Sequence, residues 1–247
     1  MSTPIEAAEK FTKAAGIIAR AGFVPFQVTD TLVQIVKYYL DEDDADFVIK
    51  AYSGGTSQSA TQMRSITGLT DEEIERITGK LAQKGIIFNQ PNTKGEMVYR
   101  LLPLIVVGTF EYTFMKELPQ GEKIKDYEKI ARLYHQLLEE LKDTIQGNYD
   151  QLLPFYEAQP PVDRTVPVFT TEDGKKINII IDKDVRGDEF ILPAKTVEDI
   201  IAKYDEIAVG HCFCRNYNRV LGHQCEMNAP SEVCFTFGKS ARHTVSQ

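Results

Sequence analysis

The four cysteines of this chain are Cys212, Cys214, Cys225 and Cys234, and the 211 residues before them contain no other. A C-x-C-x10-C-x8-C spacing within so short a span offers four soft sulfur ligands to one lobe of the fold, which suggests metal or redox chemistry before it suggests disulfides. Four thiolates complete a tetrahedral S4 site or hold the irons of a cubane. The first pair bears on the choice. Structural zinc is usually gripped by C-x2–4-C, where the intervening residues let two sulfurs converge on one ion. C-x-C is short for that, but suits a cluster, whose sulfurs bind different irons. The expected ligands are therefore Cys212, Cys214, Cys225 and Cys234 around a [4Fe-4S] cluster, with zinc as the alternative and unmetallated thiols or a disulfide as the plain reading. Phe213, Phe235 and Phe237 are expected to exclude water from the site, and Arg215 to offset the charge of the thiolates, since burial and nearby charge tune a cluster. His211 adjoins Cys212 and His223 lies two residues before Cys225, so either could replace a cysteine as ligand, but each is read first as a neighbour of the site or as solvent-facing. His135 and His243 receive no role.

The rest of the chain predicts an α+β protein that is predominantly helical. Residues 5–21 read as a helix closed by Gly22, and 29–40 as a second with Leu32, Ile35, Val36 and Tyr39 as its apolar stripe. Asp41, Glu42, Asp43 and Asp44 open a third, where negative charge favours a helix N-terminus. Residues 53–57 read as a flexible loop and 62–67 as a short helix. Thr70 and Glu73 form a capping box before the helix of Ile74, Ile77 and Leu81, which Gly85 closes. Strands at 86–89 and 97–101 flank a polar turn. Helix, turn, helix and hairpin is the order of a winged-helix domain.

Leu104–Lys116 is apolar nearly all round and reads as a buried helix. Over 122–146, Ile124, Tyr127, Ala131, Tyr134, Leu138, Leu141 and Ile145 form a helical seam that packs either inside the chain or across a homo-oligomer. Pro154, Pro160, Pro161 and Pro167 predict an extended break. Residues 177–182 read as a strand, 196–204 as a capped helix, and Ile207–Val209 lead into the cysteines. The expected organisation is a helical, winged-helix-like unit at 1–103, a helical middle at 104–160, and a small α+β lobe at 161–247 carrying the metal site.

The run Ile191-Leu192-Pro193, Ile200-Ile201, Ile207-Ala208-Val209, Cys-x-Cys-Arg, a spaced Cys, and Pro-x-Glu-x-Cys-x-x-Phe-Gly resembles a family of 4Fe-4S ferredoxin-type proteins of anaerobic bacteria and archaea. Similar members carry an N-terminal winged-helix-like part, followed by a segment like Gly108-Thr109-Phe110-Glu111-Tyr112-Thr113-Phe114-Met115. The resemblance implies the same four cluster ligands and an electron-transfer role. Longer relatives continue into repeated C-x2-C-x2-C-x3-C-P runs, whereas the residues after Cys234 end at Gln247 with no further cysteine. One cluster fits a subunit that docks against a protein partner of a redox assembly better than it fits an autonomous electron relay.

Charge and motifs narrow the alternatives. The formal charge of −8 argues against broad nucleic-acid binding. Residues 57–102 hold six basic against five acidic residues, and Asp71, Glu72, Glu73 and Glu75 crowd the start of the helix that would enter a DNA groove. Protein contact is favoured there over DNA, with a redox- or iron-responsive regulator as the alternative function and a zinc-stabilised interaction module as a further one. No G-x-G-x-x-G, P-loop, G-x-S-x-G or H-E-x-x-H occurs, so a hydrolase is not expected; a non-catalytic accessory subunit is favoured, with an enzyme whose chemistry is all on one cluster as the open alternative. The opening residues predict no secretory leader, and Leu101–Val107 is far short of the roughly 20 residues of a membrane span. The expected location is the cytoplasm.

Overall fold

A computed structural model describes residues 4–22, 24, 26–158, 200–226 and 230–246. Three helices begin the chain: α1 (Pro4–Ala19), α2 (Asp30–Tyr39) and α3 (Glu42–Tyr52). Each start follows from its cap. The Thr29 hydroxyl accepts from the Leu32 amide of α2 (3.3 Å), and Asp41 and Asp44 form a reciprocal capping box on α3. Leu32, Ile35, Val36 and Tyr39 are buried on one face of α2, as their spacing requires.

Next come β1 (Ser57–Ser59), α4 (Ala60–Thr67), α5 (Asp71–Gln83), β2 (Ile87–Pro91) and β3 (Met97–Leu101). The Thr70–Glu73 capping box is formed, and Gly85 takes a left-handed φ of 69° after α5. The strands make an antiparallel sheet in the order β1-β3-β2. The expected loop is present at 53–56, and Ser57, expected as its last residue, instead opens β1. Its polar Ser-Gln-Ser sequence has no strand signature, yet Gln58 is buried and donates its side-chain amide to the Ala51 carbonyl at 3.1 Å.

Leu104–Lys116 is not one helix. Only α6 (Thr109–Phe114) is helical, because Val106 and Val107 adopt left-handed φ values of 68° and 70°, which break the helical path. A 3-10 turn at 121–123 then leads into α7 (Ile124–Gly147), followed by α8 (Tyr149–Glu157). Helix α8 runs through Pro154, where an extended break was expected. Pro160, Pro161, Pro167, the strand at 177–182 and the start of the helix at 196–204 lie outside the described residues. Ala131 and Tyr134 of the α7 seam are buried in the chain's own core, and α7 packs on α2. Glu140 adds a polar link, accepting from the hydroxyls of Thr29 (2.7 Å) and Thr31 (2.5 Å).

The described C-terminal part holds β4 (Ile207–His211), α9 (Phe213–Val220), β5 (Glu232–Phe237) and α10 (Lys239–Ser246). Strands β4 and β5 pair antiparallel. The core is continuous across the three expected segments: Leu32, Leu81, Phe114, Tyr134 and Tyr217 belong to one buried cluster, with Phe213 packed against it. No helix among the described residues is long and apolar enough to cross a membrane.

Helix α10 is docked by an unusual residue. His243 is 0% exposed, its ring 4.4 Å from that of Phe88 and 5.9 Å from that of Tyr112, and neither ring nitrogen has a hydrogen-bond partner among the described residues. Burial lowers its pKa from 6.5 to about 4. Between those two values the unfolded chain takes up a proton that the folded chain refuses. The contribution is complete above pH 6.5, is lost as pH falls toward 4, and is worth about 3 kcal/mol over that window. Denaturant midpoints measured from pH 7 to pH 4 should show this loss in the wild type, and H243F should lack it.

Candidate metal centre

The cysteine lobe is fastened to α6 by main-chain and amide hydrogen bonds. The His211 amide donates to the Met115 carbonyl at 2.9 Å, and Gly210 passes so close that a Cβ would stand 2.6 Å from the Met115 side chain. Asn216, buried on α9, donates its side-chain amide to the carbonyls of Phe114 (2.9 Å) and Lys116 (3.0 Å). These carbonyls lie at the C-terminal end of α6, where helix carbonyls lack partners of their own. Phe110, Phe114 and Tyr217 complete the joint with edge-on ring contacts of 5.1 to 5.5 Å.

On this base the cysteines take up their places. Cys212 caps α9: its amide donates to the Ser231 carbonyl (2.6 Å) and its carbonyl accepts from the Asn216 amide (2.9 Å). Cys214 sits exposed in the first turn of α9. Cys234 lies on β5 directly opposite Gly210, which has no side chain to crowd it. Cys225 is half-buried on the segment after α9. Burial pushes the Cys214 thiol above its ordinary pKa, and the charges of Cys212, Cys234 and Glu111 push it further. Cys234 is raised by burial and then by Cys212 and Glu111. Among the described residues, no three or more His, Cys, Asp or Glu side chains are gathered at metal-holding distance.

The other expected site residues divide. Phe213 turns inward, its ring 5.8 Å from that of Phe110. Phe235 does not face the same way as Cys234, because neighbours in a strand point to opposite faces. It is 46% exposed and stacks on Phe237 at 6.5 Å. Arg215 donates to the Pro230 carbonyl, tying α9 to the residues before β5. His211 stands 3.6 Å from Glu232, while His223 and His135 are exposed.

Two residues that sequence reasoning passed over shape this region. Asn216 looks like any polar helical residue until its two carbonyl partners are known. Glu111, only 6% exposed, accepts from the amides of Val106 (2.9 Å) and Gly108 (2.9 Å) and opposes strain worth about 1–3 kcal/mol at each left-handed valine. Its place three residues after a glycine that starts a helix was the signal that could have found it.

No family model, curated protein or solved structure matches the chain. The chemical reading therefore rests on the donor set and its setting. Thiolates are soft ligands suited to zinc or iron–sulfur clusters. Thiols must lose their protons to ligate, so binding of a cationic centre by Cys214 and Cys234, both raised first by burial, would release protons.

Proposed function

We propose that the chain holds one [4Fe-4S] cluster on Cys212, Cys214, Cys225 and Cys234 and serves as an electron-transfer or accessory subunit of a redox assembly. What supports this reading is the donor set and its placement: four cysteines within 23 residues, with Cys212 and Cys214 at the start of α9, Cys234 on β5, and the Cys212 amide bonded to the Ser231 carbonyl just before β5. The cluster would supply one-electron chemistry. The protein's share is to fix the ligands on α9 and β5 and to anchor both to the core through Asn216 and Phe213. Cys214, at the surface, is the ligand through which a partner would approach. Zinc on the same sulfurs is the competing occupant, and metal analysis separates the two.

The fold reading behind it is that α4, α5 and β1–β3 form a winged-helix unit used for protein contact. The chain order β1, α4, α5, β2, β3 with the sheet order β1-β3-β2 supports it. The regulator alternative needs cations free to meet phosphate. On α5, Lys80 is already paired with Asp41 (2.6 Å) and Asp44 (2.8 Å), and Lys84 with Asp44 (3.3 Å). Arg64 of α4 is paired with Asp71 (2.7 Å). Strand β2 is also engaged, since Lys239 donates to the Pro91 carbonyl (3.0 Å) and His243 packs on Phe88. Anisotropy titrations with duplex DNA at low salt are expected to give no saturable binding. Tight, salt-dependent binding would favour the regulator instead.

A further inference from the structure

The β4–β5 sheet has two strands, so one edge of β4 pairs with no strand among the described residues. Two hydrogen bonds fix which backbone groups that edge presents. The Gly238 amide donates to the Glu206 carbonyl (2.8 Å) on the β5 side, and the His211 amide donates to the Met115 carbonyl (2.9 Å) on the other side. Antiparallel pairing alternates along a strand, so Ala208 and Gly210 turn their amides and carbonyls to β5, while Ile207 and Val209 turn theirs outward. Both are exposed, Ile207 at 39% and Val209 at 56%. An open edge of this kind is a template for another strand. It is shaped as well as open. A groove of about 180 Å³ runs beside Val209, between Met115 and Lys116 just past α6 and Thr244 and Val245 of α10, and Lys116 is the one charged side chain that lines it. The main chain at this point is fixed: Asn216 holds the Lys116 carbonyl (3.0 Å) and His211 holds that of Met115. The His211 bond also closes the edge. A strand running past His211 would meet Met115, whereas one that stops there ends beside a cation.

We propose that the β4 edge binds the C-terminal segment of a partner protein as an added strand, with its main chain on Ile207 and Val209, its last side chain in the groove and its terminal carboxylate on Lys116. Main-chain pairing supplies affinity, and the closed end with its lysine selects a chain terminus over an internal segment. The groove is smaller than the roughly 300–1,000 Å³ of a site for a drug-sized molecule, and suits a single side chain. The inference goes beyond the cluster reading and does not depend on what the cysteines hold.

The test begins with phage that display random hexapeptides with free C-termini, panned on the immobilised full-length chain. The most enriched sequence is then synthesised with an N-terminal fluorophore, once as the acid and once as the C-terminal amide. Anisotropy titrations should show saturable binding of the acid and about tenfold weaker binding of the amide, the scale of one charged hydrogen bond. V209P deletes an outward amide and no bond to β5, a change that an edge strand tolerates, and it should abolish binding. K116M leaves the strand edge intact and alters only an exposed side chain. It should bind acid and amide alike, at the level of the amide on wild type, so the preference for the acid is read even where V209P fails to fold. Failure to enrich any sequence would overturn the proposal, as would equal binding of acid and amide by wild type, or a preference for the acid that survives in K116M. Binding unaltered in folded V209P would place the peptide elsewhere and overturn it too. A dimer of the chain itself that V209P dissolves would give the edge to a second copy instead.

Discussion

On the proposed cluster assignment, C234S is expected to bind no iron while leaving the fold standing. The Cys234 side chain is half-buried at the edge of the core rather than within it, and β5 is held to β4 by main-chain pairing that C234S does not touch. A hydroxyl of nearly the same size replaces a soft thiolate, and four-cysteine clusters lose much of their hold when one ligand goes. Iron should fall from about four per chain to near zero after desalting. Far-ultraviolet circular dichroism should stay within error of wild type. C212S and C214S should behave alike, since both residues sit at the start of α9. Retention of iron by all three variants would show that the metal is held elsewhere.

The largest stability effect is expected from F114A. Phe114 is completely buried, with rings of Phe110 at 5.3 Å, Tyr217 at 5.5 Å, Tyr127 at 6.2 Å and Tyr134 at 6.4 Å. Truncation removes the transfer free energy of a phenyl ring and opens a cavity among aromatics that cannot all collapse into it, a cost of about 3–5 kcal/mol. Domains are stable by only about 5–15 kcal/mol, so much of the margin would be lost. The effect should also reach the thiol site, because Phe114 packs on Tyr217 and its carbonyl holds Asn216. F114A is therefore expected to lower both the denaturant midpoint and the lifetime of bound iron, and F114L to restore most of each. A loss below about 1 kcal/mol would mean that the joint between α6 and α9 carries little of the fold.

What the sequence disclosed was mainly local. The Thr70–Glu73 box, Gly85 and the α2 stripe are decided within a few residues, and they appear where they were expected. Features that depend on distant partners were hidden. Strand β1 exists because β3 lies beside it, not because Ser-Gln-Ser favours extension. The unbroken apolar run at 104–108 favours a helix until Glu111 claims the amides of Val106 and Gly108. The four sulfurs are grouped by their sequence spacing, and among the described residues three or more metal-binding side chains are not gathered at one point. The surroundings of the sulfurs were not legible: Phe235 shares a motif with Cys234 but faces the other way, and the anchor Asn216 depends on carbonyls about 100 residues earlier. His243 drew no attention as a lone histidine near the end, yet it is the buried contact of α10 with Phe88 and Tyr112.

The most direct test of the central claim is metal content. The chain would be purified without oxygen, and iron, acid-labile sulfide and zinc measured per chain alongside its visible spectrum. About four irons and four sulfides, with broad visible absorption that bleaches on reduction, are expected. One zinc per chain, with no iron and no colour, would contradict the account and leave the four cysteines as a structural site.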